Sequence, residues 1–190
     1  MGSHLILIGY RGTGKTTVGR VLATKLERAF FDADELVESV AGCSIADIFA
    51  RGGEPDFRDR EAAALAQLCA RPPAVLATGG GAILRESNRA LLKASGFVVW
   101  LTAPPEVLWA RICADTVTAA RRPALTSKCG EEEVRALLAA REPQYRETAD
   151  FVVDCSAASP ETVAATILSA WTGNSTCRSS SGASGYSSSG

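Results

Sequence analysis

The chain has 190 residues and a formal net charge of -1 at pH 7, and 46% of its residues are hydrophobic and 22% charged. These values predict one globular domain that can bury a core without disulfides or structural metals. The near-neutral charge gives no sign of a nucleic-acid-binding or membrane-binding surface. Because no segment approaches the length of a transmembrane helix and the N-terminus lacks a signal-peptide pattern, we expect a cytoplasmic protein.

Metal-ligating residue types are sparse in the chain. The six cysteines are widely spaced and contain no C-x-x-C pair, and there is a single histidine, His4. A zinc site is therefore not expected, and the cysteines are predicted to be reduced thiols. His4 belongs to the run Met-Gly-Ser-His at residues 1–4, which resembles a cloning remnant, so it is assigned no part in the chemistry.

A glycine-rich loop follows the first predicted strand. Residues 5–8 are apolar and partly β-branched, residues 9–16 match the phosphate-loop pattern G-x-x-x-x-G-K-[ST], and apolar residues at helical spacing follow. Strand, loop and helix in this order are the context that such a loop requires, which disfavours a plain glycine-rich turn with an exposed lysine. Lys15 can reach the β- and γ-phosphates of a nucleotide, and the Thr16 hydroxyl can bind Mg²⁺. The predicted nucleotide-binding residues here are Gly12, Thr13, Gly14, Lys15, Thr16 and Thr17.

Two aspartates end the next predicted strand, at residues 29–34. Alternation along an extended chain places Asp32 and Asp34 on the same side, at the end of the strand where open α/β sheets bind ligands. One carboxylate could hold Mg²⁺ through water while the other accepts a hydroxyl proton or binds a polyol. The alternative is that Asp34 is the N-cap of the following helix, which explains one aspartate but not two.

Residues 44–70 predict two helices. Ser44 is the expected N-cap of the first, the glycines at residues 52–53 end it, and a long helix runs from residue 57 to residue 70. Within the second helix, Arg58 and Glu61 are three positions apart, which by local reasoning alone predicts a surface ion pair.

The next predicted strand, residues 75–77, leads into three consecutive glycines, Gly79, Gly80 and Gly81. Because such a run loses much conformational entropy on folding, it indicates close approach of the backbone to a ligand and positive φ angles. The remaining predicted elements are helices at residues 85–94, 106–113, 131–149 and 160–171 and strands at residues 97–101 and 151–153. Pro143 is expected to kink or interrupt its helix.

Residues 114–130 show little periodicity and contain Arg121, Arg122 and Pro123. An irregular basic segment of this length predicts a lid that closes over phosphates, because guanidinium groups bind phosphate oxygens in bidentate fashion. The alternative is a solvated loop. Residues 172–190 are rich in serine and glycine and are predicted to be a disordered tail, so the folded domain is predicted to span residues 1–171.

In combination, these motifs resemble those of shikimate kinase. They are G-x-x-G-x-G-K-T-T-V-G-R at residues 9–20, F-x-D-x-D at 30–34, G-E-x-x-F-R at 53–58, T-G-G-G at 78–81, R-P at 122–123 and R-x-P-x-Y at 141–145. They occur in order along residues 5 to about 171.

The resemblance implies a fold and an activity. The fold would be α/β, of the P-loop, nucleoside-monophosphate-kinase-like type, with a five-stranded parallel sheet in the order 2-3-1-4-5, flanking helices and a mobile lid. The activity would be transfer of the γ-phosphoryl group of ATP to the 3-hydroxyl of shikimate, with Mg²⁺, in the pathway to chorismate and the aromatic amino acids. We expect shikimate and ATP as its partners, no nucleic acid or membrane, and a monomer.

The resemblance also implies a role for each matching residue. Lys15 and Thr16 would serve the nucleotide and Mg²⁺, and Asp32 would hold the metal through water. Asp34 would take the hydroxyl proton and hold shikimate's hydroxyls. The other implied positions are Arg58, Gly80 and Arg141, with the neighbouring Gly79 and Gly81, for shikimate, Arg122 for the transferring phosphoryl group, and Arg111 and Pro160 for adenine. Arg58 is then a carboxylate anchor instead of half of a surface ion pair.

The chain departs from the family pattern in two places. The lid reads R-R-P-A-L, where the family usually has R-P-L-L, and the serine-rich tail has no counterpart. Two other functions remain. A small-metabolite kinase of the same fold, such as a gluconate kinase, is opposed by the Asp-x-Asp, Phe-Arg and Gly-Gly-Gly set. A module that binds a nucleotide or a partner without turnover is opposed by the presence of Asp34 and Arg122.

Overall fold

The computed structural model describes residues 3–114 and 130–179, with the side chains of residues 173–179 outside that description. Its centre is a parallel sheet of five strands in the order β2-β3-β1-β4-β5. The strands are β1 (His4–Ile8), β2 (Phe30–Asp32), β3 (Val75–Ala77), β4 (Gly96–Thr102) and β5 (Phe151–Asp154). The strand order is the one that the resemblance implied.

Helices connect the strands and cover both faces of the sheet, as parallel strands require. They are α1 (Lys15–Leu26), α2 (Ala33–Ala41), α3 (Ile45–Cys69), α4 (Glu86–Ser95), α5 (Pro105–Ala114), α6 (Glu131–Thr148) and α7 (Pro160–Ser179), with a 3-10 turn at Ala82–Leu84. None of the described helices combines the length and the apolar character needed to cross a membrane.

The central strand β1 is buried on both faces, which explains why its sequence is a continuous apolar run without alternation. Leu5 and Leu7 pack into a core cluster with α1, α5 and α7, and Ile6 and Ile8 pack into a second cluster with α3 and α4. A third, smaller cluster joins α2 to α3. The loops that follow β1, β2 and β3 meet at one edge of the sheet, because these three strands are neighbours in it.

Helix α3 changes direction inside its range. Gly53 has φ 70° and ψ -171°, and Pro55 follows it, so the helix is broken close to the predicted position. Its N-terminus has the expected capping box, in which the Ser44 side chain accepts from the Asp47 N–H and the Asp47 side chain accepts from the Ser44 N–H. The turn at Gly53 separates the part of α3 that packs on α2 from the part that carries Arg58.

Two helices differ from the prediction. Helix α6 continues through Pro143, because the buried residues Val134 and Tyr145 on either side of the proline anchor the helix to the core. Helix α7 reaches Ser179, beyond Trp171 where the sequence pattern ended it. The lid at residues 115–129 and the end of the tail at residues 180–190 lie outside the described residues.

His4 is the first residue of β1 and is buried, in contrast to its interpretation as part of a cloning remnant. Its Nδ1 accepts a hydrogen bond from the Ala74 N–H at 3.1 Å. Nε2 therefore carries the ring proton and donates to the Cys69 carbonyl oxygen, 3.2 Å away. The imidazole thus ties the start of the central strand to the segment between α3 and β3. The cysteines of the described residues, Cys43, Cys69, Cys113 and Cys155, are free thiols.

Candidate active site

The predicted phosphate loop connects β1 to α1 and has the backbone that anion binding requires. Gly12 and Gly14 have φ angles of 82° and 83°, which residues with side chains rarely adopt. Helix α1 has no side-chain cap and no acidic residue in its first turn. Its N-terminal N–H groups and partial positive charge are therefore available to a phosphate.

Lys15 is folded back over the loop in this state. Its Nζ donates to the carbonyl oxygens of Gly9 at 2.8 Å and Tyr10 at 2.9 Å. The Thr13 hydroxyl donates to the same Tyr10 oxygen at 2.8 Å. The ammonium group thus occupies the concave side of the loop, where a nucleotide's phosphates would replace the carbonyls as its partners.

The two aspartates lie in different elements, which corrects the prediction that both extend from one strand. Asp32 ends β2 and is itself the N-cap of α2, because its Oδ1 accepts from the Asp34 N–H at 3.0 Å. Its Oδ2 accepts from the Thr16 hydroxyl at 2.9 Å. Asp34 lies in the first turn of α2 and lines a pocket beside the loop. The helix turn therefore directs one carboxylate toward the phosphate loop and the other into the pocket.

This acceptor pocket is bounded by the phosphate loop, α2, the two parts of α3, the glycine run after β3 and α6. Its apolar wall consists of Ile45, Phe49 and Phe57. Its charged residues are Arg11, Asp34, Arg58, Glu61 and Arg141. The pocket brings together every predicted acceptor-binding residue: Asp34, Arg58, Gly79, Gly80, Gly81 and Arg141.

Arg58 is held by two carboxylates, of which that of Glu61 is buried and that of Glu54 is exposed. Its Nη1 donates to Glu61 Oε2 at 2.8 Å, and its Nε and Nη2 donate to Glu54 Oε1 at 3.1 and 2.9 Å. Arg58 is 8% exposed and Glu61 is 1% exposed, so the surface ion pair expected from local spacing is wrong. Burial raises the pKa of the Glu61 carboxyl, and the nearby Arg58 charge opposes that effect. The network fixes the guanidinium at the pocket wall.

The glycine run gives charged side chains room to approach the backbone. A methyl group on Gly79 would lie 2.6 Å from Glu61 Oε1 and 2.8 Å from Asp34 Oδ1, and one on Gly81 would overlap the Arg58 guanidinium. None of the three glycines is among the described residues with a positive φ angle, so that part of the prediction is wrong. Gly79 and Gly81 are therefore needed because a larger residue would collide with the neighbouring charged side chains.

Helix α6 fixes the middle glycine. The Tyr145 hydroxyl donates to the Gly80 carbonyl oxygen at 2.6 Å, and Arg141 Nη1 donates to the same atom at 3.3 Å. Tyr145 is fully buried and stacks on Trp100, with ring centres 5.4 Å apart. Burial raises the pKa of the Tyr145 hydroxyl far above its usual value, so it remains a donor.

On the opposite side of the loop, Arg111 joins three segments. Its Nη2 donates to the carbonyl oxygens of Cys155 at 2.7 Å and Ser156 at 3.0 Å, and its Nη1 to that of Gly12 at 3.4 Å. The Cys155 sulfur lies 3.1 Å from the Thr13 carbonyl oxygen. The segment that leads to Pro160, the first residue of α7, is thereby attached to the phosphate loop.

Several residues of the site were assigned no role from the sequence, namely Tyr10, Arg11, Glu54, Glu61 and Tyr145. Glu61 was visible only as a helical neighbour of Arg58, and spacing along a helix gives no measure of burial. Cys155 was implied only through the resemblance, as the first residue of the loop that leads to Pro160 at the adenine. Arg121 and Arg122 lie outside the described residues, which also contain no group of three or more His, Cys, Asp or Glu side chains arranged to hold a metal ion.

Comparisons with known proteins match this geometry to one family. The family model described as shikimate kinase matches residues 11–172. The chain belongs to the shikimate kinase family. Among curated relatives, shikimate kinase of Rhodopirellula baltica is 47% identical over 167 residues, covering 88% of this chain and 89% of its own. Shikimate kinase of Oleidesulfovibrio alaskensis is 50% identical over 151 residues, covering 80% of this chain and 87% of its own.

Solved structures agree with that membership. The shikimate kinase from Acinetobacter baumannii, determined in complex with shikimate, superposes with a TM-score of 0.85 at 40% identity and covers 92% of this chain and 95% of its own. A gluconokinase from Sinorhizobium meliloti has a TM-score of 0.59 at 16% identity, covering 95% of this chain and 98% of its own. At that identity the likeness extends to the fold alone, so it does not favour gluconate as a substrate.

Proposed function

We propose that the protein transfers the γ-phosphoryl group of ATP to the 3-hydroxyl of shikimate, giving shikimate 3-phosphate and ADP, in the pathway to chorismate and the aromatic amino acids. The observation that carries the proposal is the junction of a phosphate loop with a pocket that contains Asp34, Arg58 and Arg141, in a chain of the shikimate kinase family. The proposal includes a monomeric, cytoplasmic enzyme without nucleic-acid or membrane partners, as its charge and free thiols suggest.

Phosphoryl transfer asks a protein mainly to position two substrates and to neutralise charge. The N–H groups of the phosphate loop bind the nucleotide's phosphates, and Lys15 exchanges its carbonyl partners for phosphate oxygens. Arg111 and Pro160 hold the adenine. Arg122, from the lid, stabilises negative charge on the transferring phosphoryl group.

The acceptor is held by the pocket opposite the loop. Arg58 and Arg141 bind its carboxylate, and Asp34 binds its hydroxyls and accepts the proton of the 3-hydroxyl as that oxygen attacks phosphorus. Gly79, Gly80 and Gly81 keep the backbone close to the ring of the acceptor. The apolar wall packs against the ring and excludes water from the reacting groups.

The residues beside the phosphate loop fit Mg²⁺. Thr16 Oγ1 and Asp32 Oδ2 are 2.9 Å apart, and both are hard oxygen donors of the kind that this cation prefers. Thr16 would bind the ion directly and Asp32 through water. When bound, Mg²⁺ neutralises charge on the β- and γ-phosphates.

A substrate panel tests the proposal. ADP release by the purified protein is measured with shikimate, quinate, gluconate and nucleoside monophosphates, and the phosphorylated position is identified by ³¹P NMR. We expect the highest kcat/KM with shikimate and a product phosphorylated at the 3-oxygen. Lys15→Ala is the inactive control, because it removes the cation that serves the β- and γ-phosphates. A higher kcat/KM with gluconate would contradict the proposal, and ATP binding without turnover of any acceptor would support a non-catalytic module.

A further inference from the structure

The phosphate loop carries an arginine that the mechanism above does not use. Arg11 occupies a variable position of the loop pattern and lines the acceptor pocket, on the same side as Asp34 and Arg141. Its backbone faces the glycine run, because a methyl group on Gly80 would lie 3.5 Å from the Arg11 nitrogen. Its Nε is buried and makes no hydrogen bond within the described part of the chain.

The charge of Arg58 is already balanced before an acceptor binds. Its guanidinium donates to both Glu54 and Glu61. The charged side chains at the pocket and its rim are the cations Arg11, Arg58 and Arg141 and the anions Asp34, Glu54 and Glu61. Without Arg11 the carboxylates would outnumber the guanidinium groups, and the pocket would repel an anionic acceptor.

Arg11 and Arg141 differ from Arg58, since neither forms an ion pair among residues 3–114 and 130–172. Arg141 donates to the neutral carbonyl of Gly80, and its guanidinium lies 5.7 Å from the centre of the Tyr10 ring. Burial raises the pKa of the Tyr10 hydroxyl, the charges of Arg11 and Arg141 act in the opposite direction, and the Glu133 carboxylate adds a smaller raising effect, so both guanidinium charges are near that hydroxyl. Two like charges in a half-buried pocket are stabilised when an anion binds between them.

We propose that Arg11 is a specificity-determining residue of the acceptor site, supplying with Arg141 positive charge that is not held in the Arg58 ion pairs and that binds the acceptor's carboxylate. This inference rests on the proposed function for the identity of the acceptor. Arg58 then serves chiefly to orient the carboxylate, because its own charge is shared with Glu54 and Glu61. The loop that binds the nucleotide thereby also selects an anionic acceptor.

The test compares Arg11→Gln and Arg11→Lys with wild type on two acceptors, shikimate and its uncharged methyl ester. A hydrogen bond to a charged group contributes enough that Arg11→Gln should lower kcat/KM for shikimate roughly 10- to 100-fold, through KM. The ATP KM should be unchanged, and the loss with the ester should be several-fold smaller, because the partner charge is absent. Arg11→Lys should keep part of the activity. Arg20→Gln, which removes an exposed guanidinium from α1, is the matched control and should have no effect.

Equal losses with shikimate and the ester, or a raised ATP KM, would overturn the assignment of Arg11 to the carboxylate. If Arg11→Gln fails to fold in a thermal melt, Arg11→Met, which also removes the charge, provides the same comparison. Failure of the wild type to phosphorylate shikimate would refute the proposed function instead. In that case, calorimetric titration of shikimate into wild type and Arg11→Gln still decides the role of Arg11, and equal affinities would refute it.

Discussion

Asp32 and Asp34 show how two nearby carboxylates acquire different tasks. Asp32 accepts hydrogen bonds from the Thr16 hydroxyl and from the N–H that begins α2, so it is fixed beside the phosphate loop. Asp34 is two residues further along the chain, in the first turn of α2, and lies in the acceptor pocket. The change from strand to helix between them would separate the proposed metal-binding role of Asp32 from the proposed proton-accepting role of Asp34.

Asp34→Asn should keep the shape of the side chain and its ability to bind hydroxyls, but an amide cannot accept the proton. Its effect should therefore fall on kcat, which we expect to drop about 10²- to 10⁴-fold. Asp32→Asn should instead raise the Mg²⁺ concentration needed for half-maximal rate, and extra Mg²⁺ should partly restore activity. Steady-state kinetics with Mg²⁺ varied measure both effects. A kcat for Asp34→Asn near that of wild type would remove Asp34 from the chemistry.

For single residues, the sequence predicted roles set by a local motif better than roles set by contacts that are distant in the chain. The pattern around Lys15 and Thr16 is local, so the loop could be predicted in detail. The role of Arg58 depends on its burial, on its ion pairs with Glu54 and Glu61, and on the acceptor, and local spacing shows none of these in full. Only the resemblance indicated that role. The structural role of His4 was missed for the same reason. Its hydrogen bonds to the segment between α3 and β3 could not be inferred from its neighbours in the chain.

Helix α6 acts on the site through the backbone of a neighbouring element. The Tyr145 hydroxyl and the Arg141 guanidinium both donate to the Gly80 carbonyl oxygen, which fixes the orientation of the peptide group between Gly80 and Gly81. Since that peptide is trans, its N–H points away from α6. Two buried side chains of α6 thus orient the glycine run that lines the pocket.

Tyr145→Phe should remove the hydrogen bond to the Gly80 carbonyl oxygen, so that this peptide group is held less firmly, while the ring stays stacked on Trp100. We expect the shikimate KM to rise about 2- to 10-fold and the free energy of unfolding to fall by about 1 kcal/mol, as for the loss of one hydrogen bond. The ATP KM should not change. The control is Thr148→Val, which removes another buried hydroxyl of α6, one that donates to the Gln144 carbonyl oxygen within the helix. If both variants lowered stability alike and neither altered the shikimate KM, Tyr145 would have a packing role only.

The predicted elements were correct where one physical signal dominated. Apolar runs identified the strands, and the two glycines at residues 52–53 identified the break in α3. The end of α7 was missed because its last turns contain Ser, Gly and Asn, which are weak helix formers. The continuity of α6 was missed because packing on either side of Pro143 outweighs the lost hydrogen bond.

At the scale of the whole molecule, the strand order β2-β3-β1-β4-β5 places the two substrates side by side. In the proposed function, the loops after β1 and β2 would hold the phosphate and metal groups, and the glycine run after β3 would lie beside the acceptor. The strand order followed from the resemblance, since apolar patterns predict strands without predicting their neighbours.

The arginine directly before Pro123 is the predicted lid residue, so Arg122→Ala should lower kcat far more than it weakens ATP binding, by about 10²-fold or more. Arg121→Ala should be mild and serves as its matched control. Single-turnover kinetics together with calorimetric titration of ATP separate the two effects. If Arg121→Ala were the crippling change and Arg122→Ala harmless, the alignment of the lid would be shifted by one residue.

The central position of β1 also affects how the chain is made. Leu5 pairs with Val75 on one side and with Phe97 on the other, so the first strand to leave the ribosome must wait for both of its neighbours. At ordinary rates of synthesis that interval lasts on the order of ten seconds. During it, a strand that is later buried on both faces lacks at least one of its two partner strands, and nascent chains are exposed to aggregation. Substitutions that weaken β4 should therefore reduce the yield of soluble protein during translation before they alter the activity of the molecules that finish folding.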